Sequence, residues 1–158
     1  MTDHGRAPLL IYVTWTTQAT QAAHAGQGPQ HARQSGRPSA AVKPVRWAAE
    51  AVAAAREGVR EHLDFSAQSL WRVDRLIEEL RRAGTEPPAA ENLLRGFGAY
   101  AGEVIVRQTG AEWWAAGGDH WVRTPDGRLW EPLDEARRCL GGHGSLRLLC
   151  RDATRGRR

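Results

Sequence analysis

The sequence predicts an α+β domain in which helices come first along the chain and strands follow. Three observations predict it. Apolar residues recur at helical spacing through the middle of the chain, the period falls from near 3.6 to near 2 after Gly110, and Gly- and Pro-containing turns separate the short segments that follow. Because the two kinds of element are segregated, we expect a three-helix layer packed on a small, mainly antiparallel sheet, in the order ααα-βββ-α-β.

The N-terminal region differs in composition from the rest of the 158-residue chain. Residues 16–44 are rich in Gln, Ala, Gly, Ser and Pro, and Val42 is their only large apolar side chain. Such a segment buries too little apolar surface to offset its chain entropy. We predict a disordered or poorly ordered extension over 1–44, one domain over 45–151 and a mobile basic tail over 152–158. The apolar residues 9–13 fit a short strand, a docking peptide or a start-site artefact.

Two amphipathic helices are predicted first. The first covers 46–62, where an apolar repeat runs from Trp47 to Leu63 in an alanine-rich segment. The second begins at Ser66, a favourable N-cap residue, and continues to about residue 83, before Gly84. Its apolar stripe consists of Leu70, Val73, Ile77 and Leu80.

The third predicted helix, 89–109, is apolar around more than half of its circumference, so we expect it to be central and the most buried. It contains Gly96, Gly98 and Gly102, each of which costs roughly 1 kcal/mol in a helix relative to Ala. A helix with three glycines favours a close neighbour, and we expect that neighbour to be the first or the second helix.

Short strands are predicted over 112–116, 120–124 and 128–131, with a hairpin turn at residues 125–127. Pro132 suits the first turn of a short helix that ends near residue 140. The sequence after the glycines at 141–144 predicts a last strand over 145–151.

The charge of the chain is unevenly distributed. The net charge is +4, but residues 1–45 and 151–158 each carry +3, which leaves residues 46–150 at −2. The folded part therefore lacks the basic surface typical of nucleic-acid-binding domains, and association with nucleic acid through the two ends is an alternative hypothesis. Arginine supplies 21 of the 22 cationic side chains, which indicates GC-rich codon usage rather than selection for phosphate binding.

The few cysteines and histidines limit the disulfides and metal sites that the chain could form. Two cysteines, Cys139 and Cys150, are too few for a disulfide framework, and we expect both to be reduced. Together with His120 and His143 they have metal-compatible spacing, but no paired C-x-x-C accompanies them, so no metal site is predicted. No apolar run reaches the ~18 residues that span a membrane, and we expect a cytoplasmic protein.

Two blocks of residues carry a family resemblance. Leu63-Asp64-Phe65-Ser66, followed by Ser69-Leu70 and Asp74, and the later block AYAGEVIVRQTGAEWW (residues 99–114) resemble a small, uncharacterised bacterial family that is frequent in actinobacteria. Its members share an LD[FY]S-x-x-SL helix start and an AY-x-GE-V-x-x-x-x-G-x-x-W junction. The resemblance covers roughly residues 46–150. It implies the same compact α+β domain and no particular activity.

Glu103 and Arg107 are the candidate polar pair. They are separated by four residues, which is the favourable order for an ion pair on a helix. Because the helix is apolar almost all round, we expect Glu103 to be partly buried and to pair with Arg107 or with the amides that open the second helix beside Asp64. A small hydrolase that uses Glu103 is a second alternative. No nucleophile elbow, P-loop, dinucleotide fingerprint or H-E-x-x-H motif is present, so we predict no catalytic residue and no cofactor.

Four tryptophans lie on the predicted strands, namely Trp113, Trp114, Trp121 and Trp130. Neighbouring residues of a strand point to opposite faces, so Trp113 and Trp114 cannot both enter one core. Three roles are open to an outward tryptophan. It packs in a second small core under helix 133–140, it stacks on nucleic-acid bases, or it binds a protein. We favour the last of these, and predict a non-enzymatic interaction or regulatory domain that binds a protein partner or itself through its tryptophan-bearing sheet.

Overall fold

A computed structural model describes residues 39–156. It has the predicted α+β class, with five α-helices and one three-stranded antiparallel sheet in the described part of the chain. The elements in chain order are α1 (Val42–Val59), a 3₁₀ turn (Ala67–Ser69), α2 (Leu70–Arg82), α3 (Pro87–Thr109), β1 (Glu112–Ala116), β2 (Asp119–Arg123), β3 (Leu129–Trp130), α4 (Pro132–Leu140) and α5 (Leu146–Arg155). Residues 1–38 of the predicted extension, which include the apolar residues 9–13, lie outside the described residues. Residues 42–44 belong to the same predicted extension, but in the structure they form the start of α1.

Helix α3 is the central element, as predicted. It begins with Pro87 and Pro88 at its first positions, where a missing N–H removes no helical hydrogen bond, and it ends at Gly110, whose φ of +74° forms a left-handed cap. Helices α1, α4 and α5 pack around it. Its fully buried large side chains include Leu93, Leu94, Phe97, Tyr100, Val104 and Ile105.

Two glycines of α3 permit close packing, but not of the expected partners. A Cβ at Gly98 would lie 2.6 Å from the Cα of Leu133, and a Cβ at Gly102 would lie 2.3 Å from the indole ring of Trp113. The neighbours are therefore the start of α4 and the first strand, and the prediction of the first or second helix is wrong. This outcome applies to Gly98 and Gly102. A glycine in a helix indicates that something approaches closely, but it carries no information about which element approaches.

The sheet has the order β1-β2-β3, and its register defines two faces. Trp113 lies opposite Val122, which in turn lies opposite Trp130, so these three residues share the inner face toward the helices. Trp114 lies opposite Trp121 on the outer face. The turn between β2 and β3 is closed by a hydrogen bond from Thr124 N to Arg128 O, with Gly127 at a φ of +83°.

The last element corrects the predicted order, because residues 145–151 do not form a strand. Ser145 caps a helix by accepting a hydrogen bond from Leu148 N with its Oγ atom, and the buried side chains of Leu146, Cys150 and Ala153 follow helical spacing. A short apolar run does not distinguish strand from helix, and here the cap and the i, i+4, i+7 burial decide for helix. Residues 152–155, predicted as part of a mobile tail, are also helical and contribute Ala153 to the core.

Asp74 of α2 holds the start of α5 in place. One of its carboxylate oxygens accepts from Ser145 Oγ at 2.6 Å, and the other accepts from the backbone N–H of Leu146 at 2.8 Å. A carboxylate at a helix N-terminus satisfies backbone donors that have no partner within the helix. This contact joins positions more than 70 residues apart and sets α5 beside α2. None of the helices between residues 39 and 156 is both long and apolar enough to span a bilayer.

Candidate functional site

The segment before α2 is fixed to α3 through Tyr100. The Tyr100 hydroxyl accepts a hydrogen bond from the backbone N–H of Phe65 at 2.8 Å and shares one with Ser69 Oγ at 2.6 Å, and burial raises the pKa of Tyr100. Phe65 has a φ of +59°, a conformation that costs a non-glycine residue roughly 1–2 kcal/mol. The Arg107 guanidinium lies 3.6 Å from the centre of the Phe65 ring. The two sequence blocks that carry the family resemblance therefore meet here, through hydrogen bonds of Tyr100 and the contact of Arg107 with Phe65.

Glu103 lies in the core with an unexpected partner. The residue is 8% exposed, and its Oε1 atom accepts a hydrogen bond from Trp113 Nε1 at 2.7 Å. The predicted ion pair with Arg107 is present but long, with 3.9 Å between Glu103 Oε2 and Arg107 Nε. The alternative contact with the amides that open the second helix is wrong, because Ser66 Oγ accepts from Ser69 N and caps that turn itself.

Asp64 is also engaged locally. Its carboxylate accepts hydrogen bonds from the hydroxyl and the backbone N–H of Ser66, and these bonds hold its pKa below the ordinary value. Three cavities of about 670, 410 and 330 Å³ lie in the described part of the chain, and Glu103 lines none of the three. The Glu103 carboxylate is thus bonded to an indole in the core rather than placed in the lining of these three cavities.

The four sheet tryptophans divide equally between the two faces. Trp113 is 7% exposed on the inner face, where Trp130 is half-buried and donates a hydrogen bond from Nε1 to Thr124 Oγ1 at 3.1 Å. On the outer face Trp114 is 45% exposed, and its ring centre lies 6.0 Å from that of the half-buried Trp121. Helix α4 buries its apolar residues in the same core as α3, so it does not form the second small core considered above.

The outer face has an apolar centre and a charged border. The Trp114–Trp121 pair is flanked on one side by a row of Glu112, Arg123 and the exposed Leu129, in which Arg123 pairs with Glu112, and on the other side by Ala116 and Asp119. The Arg123 guanidinium also lies 6.0 Å from the centre of the Trp114 ring. Strand β1 is at the edge of the sheet, and among residues 39–156 its outward backbone groups have no hydrogen-bonded partner strand. The outer face, as used below, means Glu112, Trp114, Trp121, Arg123 and Leu129.

The cysteines do not form a reactive site. Both are buried free thiols, and burial raises the pKa of Cys139 to about 12, with Asp74 contributing, and that of Cys150 to about 11. Thiolates, which are the nucleophilic form, are therefore scarce near neutral pH. Within the part of the chain that the structure describes, no three His, Cys, Asp or Glu side chains are grouped so as to hold a metal ion.

A polar cavity of about 410 Å³ lies behind the β1–β2 turn. His120 meets the ring of Trp47 edge-on with 5.2 Å between ring centres, and the Arg95 guanidinium lies 4.7 Å from the centre of the same ring. Burial and the nearby Lys43 lower the pKa of His120. Acidic and basic side chains are mixed in its lining, so the cavity selects no charge class of ligand.

Comparisons of this chain with protein-family models, with curated proteins and with solved structures give no match. The family resemblance therefore stays a prediction.

Proposed function

We propose that this protein is a non-enzymatic interaction domain that binds another protein chain through the outer face of its sheet. The observation that carries the proposal is the Trp114–Trp121 pair on the outer face, where Trp114 is 45% exposed within the described part of the chain. Tryptophan is enriched among the residues that dominate binding energy at protein interfaces. The Glu103 carboxylate accepts a hydrogen bond from the Trp113 indole, and this supports the proposal that the domain is not an enzyme. The buried free thiols fit a reducing compartment and support a cytoplasmic location.

The partner that best fits this surface is a second copy of the chain. An edge strand with unpaired backbone groups is a template for another strand unless charges, prolines or bulges protect it. The sequence of β1 is EWWAA, which has one charge and no proline. Two β1 strands related by a twofold axis perpendicular to the sheet would pair antiparallel and join two three-stranded sheets into one of six strands.

The pairing register follows from the sequence of β1. With Trp114 opposite Trp114 of the second copy, Glu112 lies opposite Ala116, and no like charges face each other. The same arrangement keeps both outer faces on one side of the joined sheet. The two Trp114–Trp121 pairs then form one continuous strip of four indoles. The arrangement is self-complementary, as an isologous interface requires.

Sedimentation velocity of the full-length chain over a wide concentration range tests this proposal. We expect the weight-average mass to rise from monomer toward dimer, and we expect Trp114→Ala to keep the protein monomeric. The matched control is Trp71→Ala. Trp71 lies on α2 with 46% exposure, almost the same as that of Trp114, so loss of general surface hydrophobicity is equal in the two variants.

Two results would contradict the proposal. One is a wild-type protein that stays monomeric at every concentration. The other is an equal loss of association in the Trp71 and Trp114 variants, since that would separate self-association from the sheet.

A further inference from the structure

A groove of about 670 Å³ lies between the start of α2 and α5. One wall is formed by the 3₁₀ turn and the first residues of α2. The other wall is one side of α5, where Arg147, Arg151 and Thr154 follow helical spacing. The bonds from Asp74 to the start of α5 fix the distance between the two walls. A volume of this size lies within the range of about 300–1,000 Å³ that is typical of small-molecule sites.

The groove exposes large apolar side chains from both walls. Trp71 is 46% exposed and Leu148 is 39% exposed, although the other large apolar residues of α2 are buried. Ala67 and the buried Cys150 contribute further apolar surface to the lining. Two exposed apolar side chains that line one concave surface provide contacts for the apolar part of a ligand.

The charge of the groove is predominantly positive. Its lining contains Arg72, Arg147 and Arg151 but only one acidic residue, Asp64, which is already bonded to Ser66. Arg72 donates to the His62 carbonyl at 2.9 Å, and Arg151 pairs with its exposed neighbour Asp152.

Arg147 differs from the other two arginines. Its guanidinium has no hydrogen-bond or ion-pair partner among residues 39–156. It remains available for an anion from solution, and a guanidinium binds carboxylate or phosphate through two parallel hydrogen bonds.

We propose that this groove is a binding site for a small amphipathic anion. An alkyl chain or aromatic ring would pack between Trp71 and Leu148, and a carboxylate or phosphate would be bound by Arg147 with support from Arg151. The site is separate from the outer face, since none of its lining residues belongs to the sheet.

The test uses the ¹⁵N-labelled full-length protein and decanoate, added below its micellar concentration. The indole N–H signals are followed by NMR, with those of Trp71 and Trp114 assigned from Phe variants. We expect the Trp71 signal to shift saturably and the Trp114 signal to stay in place. The two indoles are almost equally exposed, so Trp114 reports non-specific adsorption within the same sample. Decylamine, which has the same chain and the opposite charge, is expected to produce no saturable shift.

Charge reversal identifies the anion-binding residue. Arg147→Glu is expected to weaken decanoate binding by about 10- to 150-fold, the range for losing a hydrogen bond to a charged group. Arg155→Glu is the matched control, because Arg155 lies on the same helix outside the groove lining. The inference is overturned if decanoate does not bind, if decylamine binds equally well, if the two indoles shift together, or if the two charge reversals have the same effect.

Discussion

Trp113 and Trp114 are consecutive residues with the same side chain, and the fold gives them opposite surroundings. Trp113 packs against Gly102 of α3 and donates to a buried carboxylate, whereas Trp114 is exposed beside Trp121 and Arg123. The comparison teaches that the alternation of a strand is enough to assign one tryptophan to the core and the other to the surface. Position on the strand, and not residue type, therefore decides whether a substitution affects folding or association.

The largest expected difference is between alanine substitutions at the two tryptophans. Trp113→Ala should lower the free energy of unfolding by about 3–5 kcal/mol, because it leaves a cavity and removes the hydrogen bond from the indole to the buried Glu103. Trp114→Ala removes surface contacts only, and we expect a loss of no more than about 1 kcal/mol. Urea unfolding followed by circular dichroism, at low protein concentration to limit any contribution from association, measures both. Equal losses would contradict the assignment of the two faces.

Gly102 tests how closely Trp113 packs against α3. Gly102→Ala would place a Cβ 2.3 Å from the indole ring, and overpacking of this kind costs about 1–3 kcal/mol. In a Trp113→Ala background the clash with the ring is absent and the tightest remaining contact is with Pro132 Cγ at 3.2 Å, so the higher helix propensity of alanine, about 1 kcal/mol, should make the same substitution close to neutral or stabilising. A double-mutant cycle in urea measures the change of sign. The same cost in both backgrounds would show that the ring does not cause it.

Substitutions at Glu103 test the hydrogen bond that it accepts from Trp113 on the inner face of the sheet. Glu103→Gln keeps an oxygen that accepts from Trp113 Nε1, so we expect a loss of less than about 1 kcal/mol. Glu103→Leu leaves that indole N–H buried without a partner, which costs about 1–3 kcal/mol. Thermal or urea unfolding of the two variants measures the difference. If Leu is tolerated as well as Gln, the hydrogen bond does not contribute to stability.

Local periodicity was sufficient to predict much of the fold. The helices, the hairpin and the split between Trp113 and Trp114 follow from residue spacing and turn residues, which act over a few positions. The final helix is the exception, because the short segment 145–151 predicts a strand and the structure has a helix there. Two signals favoured a helix, namely the N-cap residue Ser145 and the spacing of the apolar residues Leu146 and Cys150.

Contacts between distant segments were not predictable in the same way. The sequence indicated that Glu103 would be partly buried but not that Trp113 would be its partner, although a buried indole N–H generally needs an acceptor. The groove was missed altogether. Its walls carry Trp71 and Arg147, which are far apart in sequence and are brought together by the bonds of Asp74. Such long-range placement depends on the packing of whole helices, which no local pattern contains.

The central claim is that the outer face joins two copies of the chain through β1. Opposite charges introduced at Ala116 test it most directly, because this residue would lie opposite Glu112 of the second copy. We expect Ala116→Lys to tighten the dimer and Ala116→Glu to weaken it, each by about 2- to 30-fold, since a cross-strand charge pair contributes about 0.2–1 kcal/mol and occurs twice in a symmetric dimer. Sedimentation equilibrium measures both constants. Equal dimerisation of the two variants, or the opposite order, would contradict the account.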